Sequence, residues 1–231
     1  GLVGRNGVGK SVLGRIMAGE LAPSSGRCLR SGPVHLLAQQ VAPPQGATVA
    51  SLAGVQPTLQ ALARIEAGST DPADFDAVGD RWDLSQRLQE ALARHGLAHL
   101  HAEQPAQQLS GGEAMRVALV GAFLSDADFL ILDELSNHLD RPSRQALIEQ
   151  LRQWPRGLIV ISHDRQLLDT LDRIVELSPL GLHSYGGNHS FYVQAKAHER
   201  QSALDHLAHC RQERQRTEQA LRQQRERQER R

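Results

Sequence analysis

Aromatic side chains are scarce: four Phe, two Trp and two Tyr in 231 residues. The core must therefore be filled by Leu, Val, Ile and Ala, and the chain is long enough to bury one. Cysteine is nearly absent. Cys28 and Cys210 stand far apart, which excludes a disulfide scaffold and fits a reducing, cytoplasmic setting. No apolar run approaches the roughly 18–20 residues that span a bilayer, and no signal peptide opens the chain. Formal net charge is zero, so no global field points to a partner. The first residue is Gly1 rather than Met, and "RQERR" ends the sequence within a helical pattern, so a fragment is expected.

Charge is present but uneven. Residues 194–231 hold ten Lys/Arg against six Asp/Glu, a basic tail on a slightly acidic body. The tail is rich in Gln, Arg and Glu with sparse Ala and Leu, which predicts a long, mostly exposed helix. Upstream, short apolar runs alternate with helical patterns. Residues 1–3, 34–38 ("VHLLA"), 129–132 and 158–162 ("LIVIS") read as buried strands. Val12, Leu13, Ile16 and Met17 share a helix face, as do Leu84, Leu88, Ala91 and Leu92. Further helices are predicted over 58–66, from about Gly112 to Leu124, and over 142–153. Region 41–108 has no convincing buried strand and reads as a helical insertion. This alternation predicts an α/β fold with a parallel sheet.

The chemistry concentrates in three stretches. "GRNGVGKS" fits G-x(4)-G-K-[ST] in full, with a strand before it and a helix after it. Gly4, Asn6, Gly7 and Gly9 shape a loop whose backbone N–H groups converge on phosphate oxygens. Lys10 supplies a mobile cation, and the Ser11 hydroxyl suits Mg²⁺. In "FLILDELSNHLD" a buried strand delivers Asp133 and Glu134 to the carboxyl edge of the sheet. Asp133 is placed to hold Mg²⁺ and Glu134 to act as general base on water. A strand end followed by solvated acids is the plain alternative. "LSGGE" places Ser110, Gly111 and Gly112 at a helix start, a second anion nest.

These motifs, followed by "ISHD", occur in the order of the ATP-binding cassette superfamily, which residues 1 to about 180 resemble. The resemblance implies a P-loop NTPase (RecA-like) core with an inserted helical subdomain at about 41–114. It implies ATP hydrolysis with ATP and Mg²⁺ bound. It also implies head-to-tail pairing of two cassettes, with Ser110, Gly111 and Gly112 on the γ-phosphate held by another cassette. Gln39, or the adjacent Gln40, resembles the glutamine that senses Mg²⁺ and the attacking water. His163 resembles the switch histidine. Asn137-His138-Leu139-Asp140 resembles the loop that crosses between cassettes, although Asp140-Arg141-Pro142 is also good helix-capping chemistry.

"NHLD", "ISHDRQLLD" and "YGGNHSFYVQAKAHER" are similar to the ABC-F branch, whose chains carry two cassettes and no membrane domain. The expected division is 1–185 as an N-terminally truncated ATP-binding domain and 186–231 as the start of an interdomain linker. The branch implies a ribosome, rRNA or tRNA partner through that linker, in translation or in antibiotic protection. The basic excess of the tail suits an RNA phosphate surface, but it also suits a solvated helix with Glu–Arg pairs. The competing functions are an ATPase subunit energising a membrane permease and a cassette that no longer hydrolyses. Leu135 stands where the family has proline and is expected to loosen the turn. Ser136 replaces a threonine, and Gly121 falls where arginine is common. Trp82 and Trp154 read as packing residues. His206 with Cys210, and His95, His99 and His101 with no acidic partner nearby, read as surface residues rather than metal sites.

Overall fold

The four predicted strands are all present, beside two that the apolar pattern did not mark. In a computed structural model, residues 1–39, 41–135, 139 and 141–229 are described, the side chains of 217 and 219–229 excepted. The strands are β1 (Leu2–Val3), β2 (Val34–Leu37), β3 (Phe129–Asp133), β4 (Gly157–Ile161), β5 (Ile174–Ser178) and β6 (Gly181–Tyr185). They form one sheet in the order β2-β3-β4-β1-β5-β6. The pairings from β2 to β5 are parallel. β6 runs antiparallel to β5, with Ile174 opposite Tyr185. The parallel sheet expected from the sequence is present, with one antiparallel strand added at its edge. There the chain turns back through Pro179-Leu180 rather than crossing over through a helix.

Successive residues of β3 serve opposite faces of the sheet. Leu130 and Leu132 join a buried cluster with Met115, Leu119, Leu147, Ile148 and Val160. Ile131 turns the other way, onto Leu2, Ile161, Leu13 and Met17. Helix α1 (Lys10–Ala18) therefore covers one face. Helices α6 (Gly111–Leu124) and α7 (Arg141–Gln153) cover the other. A strand buried on both faces reads as a continuous apolar run, as "FLIL" does before Asp133.

Residues 49–108 form a helical lobe: α2 (Val49–Leu52), α3 (Gln56–Glu66), α4 (Pro72–Val78), α5 (Leu84–Arg94) and a 3₁₀ turn at Ala106–Gln108. Its core gathers Val49, Ala61, Val78, Leu84, Leu88, Leu92, Leu97 and Leu100. The bridge to the sheet is α6. Val117, Val120 and Leu124 enter the lobe core, whereas Met115, Ala118, Leu119 and Ala122 enter the sheet core. A helix apolar all round is buried all round, and "AMRVALVGAFL" is such a helix but for Arg116, which donates to the His95 carbonyl at 3.2 Å. Gly121 sits where α6 meets α2, and a Cβ there would strike the Ala53 backbone. Any larger side chain must separate the two helices. The position where arginine is common in the family is thus a close approach in this chain.

Two small departures concern aromatics and histidines. Trp154 packs edge-on against Phe123 at 5.6 Å and donates to the Gly157 carbonyl at 3.2 Å. Trp82 is 53% exposed, with the Phe75 ring against it at 6.1 Å, so it packs locally without being a core residue. His99 does have an acidic partner, Glu113 Oε1 at 3.1 Å. His95 is buried and meets Gln150 Oε1 at 3.0 Å, tying the lobe to α7. His206 Nδ1 and Cys210 Sγ are 3.7 Å apart on an exposed helix face. No cluster of three or more metal-ligating residues occurs among the described residues.

Helix α8 (Arg165–Leu168) follows β4 closely, and α9 (His189–Glu229) leaves from β6. At 1.5 Å per residue, its 41 residues extend about 60 Å. Its root is fixed to the sheet by polar contacts. Lys196 Nζ meets Glu176 Oε2 at 2.8 Å. Tyr192 donates to Glu176 Oε1 at 3.2 Å, and Tyr185 to Glu199 at 3.1 Å. These partners hold the Lys196 ammonium pKa well above the ordinary lysine range, with Glu176 the largest cause. Beyond the root the described side chains from Glu199 to Arg216 are exposed.

Candidate nucleotide site

The phosphate loop crosses from β1 to α1. Gly7 (φ 79°) and Gly9 (φ 106°) take left-handed backbone angles that side chains resist, and Gly9 occupies the N-cap of α1. Lys10 is buried. Its ammonium donates to the Gly4 carbonyl at 2.9 Å and the Arg5 carbonyl at 3.3 Å. The cation is thereby held inside the curve of the loop.

Strands β3 and β4 deliver the other groups from one sheet edge. Glu134 N–H donates to the Ile161 carbonyl at 2.8 Å, so the ladder extends one residue beyond β3. Glu134 then takes φ 52°, the only positive φ at a non-glycine residue among the described residues. A left-handed glutamate stores backbone strain, of the kind found at functional sites. Leu135 is 2% exposed and sits in the sheet cluster with Leu37, Leu119 and Leu147. The anticipated loosening by leucine thus meets a buried anchor: burial ties this turn where proline would stiffen it.

His163 follows β4 and is half exposed. Its Nε2 lies 3.0 Å from Asn6 Oδ1, 3.2 Å from Glu134 Oε1 and 3.5 Å from Lys10 Nζ. Two acceptors and one donor thus compete for one ring nitrogen. Protonated, Nε2 donates to Asn6 or Glu134; unprotonated, it accepts from Lys10. Burial raises the Glu134 carboxyl pKa above the ordinary carboxylate range. The His163 and Lys10 charges pull it down, and Asp133 pushes it up.

Asn6, Gly7, Gly9, Lys10, Ser11, Gln39, Glu134 and His163 meet in one cleft of ≈ 450 Å³. Val12 also lines it, an exposed apolar residue that sequence reasoning had assigned only to a helix face. Asp133 lies beneath the cleft, 6% exposed, and its Oδ1 has no hydrogen-bond partner. A buried, unpaired carboxylate oxygen one residue before the cleft-lining Glu134 suits a hard divalent cation with oxygen ligands, as do the Ser11 hydroxyl and the Gln39 amide oxygen in the cleft wall. Gly4 lines a neighbouring cleft instead.

Ser110, Gly111 and Gly112 do not line the nucleotide cleft. They open α6 through a capping box. Glu113 N–H donates to Ser110 Oγ at 3.3 Å, and Ser110 N–H donates to Glu113 Oε2 at 2.9 Å. The Ser110 hydroxyl and N–H hold the Glu113 carboxyl pKa below its usual range. Gln40, Ser136, Asn137, His138 and Asp140, which carry the alternative glutamine, the threonine replacement and most of "NHLD", lie outside the described residues.

A phosphate loop after the first strand, with acidic and histidine groups delivered by adjacent parallel strands, defines an α/β nucleotide-binding protein of the P-loop class. Comparison with known proteins gives the family. The model of the family described as "ABC transporter" matches residues 1–137. The energy-dependent translational throttle protein EttA of Mycobacterium tuberculosis is 35% identical over 217 residues, covering 85% of this chain and 38% of that protein. The tylosin resistance ATP-binding protein TlrC of Streptomyces fradiae is 34% identical over 224 residues, covering 87% and 41%. Among solved structures, a chain in a model of ribosome-bound archaeal Pelota and ABCE1 superposes with TM-score 0.60 and 25% identity, covering 80% of this chain and 29% of that one. The chain belongs to the ATP-binding cassette family, in its ABC-F branch. It spans 38% and 41% of the length of the two curated relatives. No described helix is long and apolar enough to cross a membrane.

Proposed function

We propose that this chain binds ATP with Mg²⁺ and hydrolyses it as one half of a composite site, within a cytoplasmic protein that acts on the ribosome. The observation that carries the reading is the meeting of Lys10, Glu134 and His163 in one cleft. Lys10 is the cation for the β and γ phosphates. Glu134 accepts the proton of a water whose oxygen bonds to the γ-phosphorus. The bond from that phosphorus to the bridging oxygen breaks, and its electron pair leaves with ADP. A raised carboxyl pKa makes Glu134 a stronger base than an exposed glutamate. His163 donates to the transferred phosphoryl group. Ser11, Asp133 and Gln39 are the residues that would hold Mg²⁺, which neutralises phosphate charge when bound.

Ser110, Gly111 and Gly112 serve a nucleotide bound by a second cassette, a role supported by their absence from the cleft of their own chain. Residues 1–185 are the ATP-binding unit, with the helical subdomain at about 41–114. Residues 186–231 carry the arm toward rRNA or tRNA. The exposed, basic α9 favours that partner over a permease, as do the translational throttle and the ribosome-bound structure among the similar proteins.

The test is co-sedimentation of the Glu134→Gln chain with ribosomes, with and without ATP. ATP-dependent recovery in the ribosomal pellet is expected. Recovery in the supernatant under both conditions would refute the ribosomal reading. Dependence on a second cassette predicts that ATPase activity per chain rises with chain concentration. Rapid turnover independent of concentration speaks against it.

A further inference from the structure

A second polar cleft, of ≈ 380 Å³, lies behind the phosphate loop and shares His163 with the first. Its other charged and polar walls are Arg5, Ser162, Arg165, Glu176, His189 and Tyr192. Arg5 belongs to the phosphate-loop motif, yet it lines this cleft and not the nucleotide cleft. Among the described residues neither the Arg5 nor the Arg165 guanidinium has an ion-pair partner. Glu176 does not offset them, because it already accepts from Lys196 at 2.8 Å and from Tyr192 at 3.2 Å. The nearby carboxylates are occupied too. Asp164 pairs with Arg144 at 3.1 Å, and Asp169 accepts from the Ser190 N–H at 2.7 Å. Two free guanidiniums and two imidazoles therefore face a cleft whose one lining carboxylate is neutralised. Such a wall selects a small oxyanion, and arginine forks match phosphate oxygens two at a time.

We propose that this cleft binds inorganic phosphate, received past His163 from the nucleotide cleft after hydrolysis. His163 is the one side chain among the imidazoles and guanidiniums here that lines both clefts, so an ion moving from one to the other would pass it. The source of the ion rests on the hydrolytic reading above; the binding site does not. Phosphate held here also lies beside His189 and Tyr192 at the root of α9, so occupancy is sensed where the arm begins.

The experiment titrates inorganic phosphate into the full chain with the nucleotide cleft saturated by Mg²⁺-ADP, read by calorimetry and by ³¹P line broadening. Expected is phosphate binding that weakens about tenfold or more in Arg165→Gln and further in Arg5→Gln/Arg165→Gln, about 1.4 kcal/mol per tenfold. Arg165→Lys keeps a point charge and is expected to fall between wild type and Arg165→Gln, which separates lost charge from misfolding. Equal phosphate affinity in wild type and the double variant would place the ion in the nucleotide cleft and overturn the proposal, as would no binding at all. Loss of oligoribonucleotide binding in the double variant, with inorganic phosphate unbound by wild type, would assign the cleft to a phosphodiester backbone instead. Failure of ATP hydrolysis with arginine-dependent phosphate binding intact would remove the source and leave the site.

Discussion

His163 Nε2 stands 3.2 Å from Glu134 Oε1, within hydrogen-bond reach of the carboxylate that faces the cleft. The two roles separate under substitution. Glu134→Gln keeps a hydrogen-bonding side chain of the same shape but cannot accept a proton. Turnover is expected to fall by about 10²-fold or more, while the nucleotide affinity measured by fluorescent ATP analogue titration stays within a few-fold. Turnover at the wild-type rate would remove Glu134 from the base role.

The same carboxyl sets the acid side of the pH profile. Burial raises its pKa above the 4.5 of an ordinary glutamate, and a base works only when deprotonated. Activity is therefore lost as pH falls through that raised value. The kcat/KM profile, which reports the nucleotide-free enzyme, should show an acid limb above pH 4.5. A limb at or below 4.5 would show that Glu134 titrates as an exposed acid and contradict the burial argument.

Gly121 makes a packing prediction. A Cβ at this position would overlap the carbonyl group and Cα of Ala53, all backbone atoms that cannot rotate away. Gly121→Ala gains helix propensity, worth about 1 kcal/mol, yet forces α2 from α6. Overpacking of this kind costs about 1–3 kcal/mol, so net destabilisation is expected, seen as a lower urea midpoint with unchanged slope. Gly121→Arg, the residue common here in the family, should be worse. A raised midpoint in Gly121→Ala would show that α2 yields freely.

His95 gives stability a pH dependence. It is buried, and desolvation is the first cause of its lowered pKa, with Arg94 and Arg116 adding to it and Gln150 opposing. The folded state thus resists protonation, whereas the unfolded chain takes up a proton near pH 6.5. Below that value the unfolded state binds more protons, so stability falls as pH falls. Urea unfolding between pH 7.5 and 5.5 should show this decline, with a shallower slope in His95→Gln. Equal slopes would assign the decline to other histidines.

Much of this was legible in the sequence because the motifs impose local geometry. The loop from Gly4 to Ser11, the buried run of β3 and the capping pair Ser110–Glu113 are each fixed by a few neighbouring residues. What escaped depends on distant partners. Strand β5 carries Glu176 in its middle, which breaks an apolar run, and its reason is Lys196 and Tyr192 on α9. Strand β6 is exposed up to Tyr185, so it has no buried pattern to read. The Pro179–Gly181 turn was the available signal for this hairpin. Nothing local marks Trp82 as exposed, since its cover is decided by how α4 meets the following turn. The partner of His99, which lies in a turn, is fourteen residues away on α6.

Leu135 is the residue whose meaning changed most. Its resemblance to the family made it a softened turn; its 2% exposure among Leu37, Leu119 and Leu147 makes it an anchor. It follows Glu134 directly, and Glu134 carries the left-handed backbone angle. Strain of that kind persists only where the surroundings over-determine it. The Ile161 carbonyl holds the Glu134 amide from one side, and Leu135 burial holds the chain from the other. Leu135→Ala should then act twice. Stability should drop by about 2–5 kcal/mol, as for other buried leucines. Turnover should fall in the fully folded fraction as well, because Glu134 is free to relax to an ordinary φ and move from His163. Denaturation midpoints and kcat measured well below the midpoint separate the two effects. A destabilised variant with wild-type kcat would show that the glutamate holds its position without the leucine.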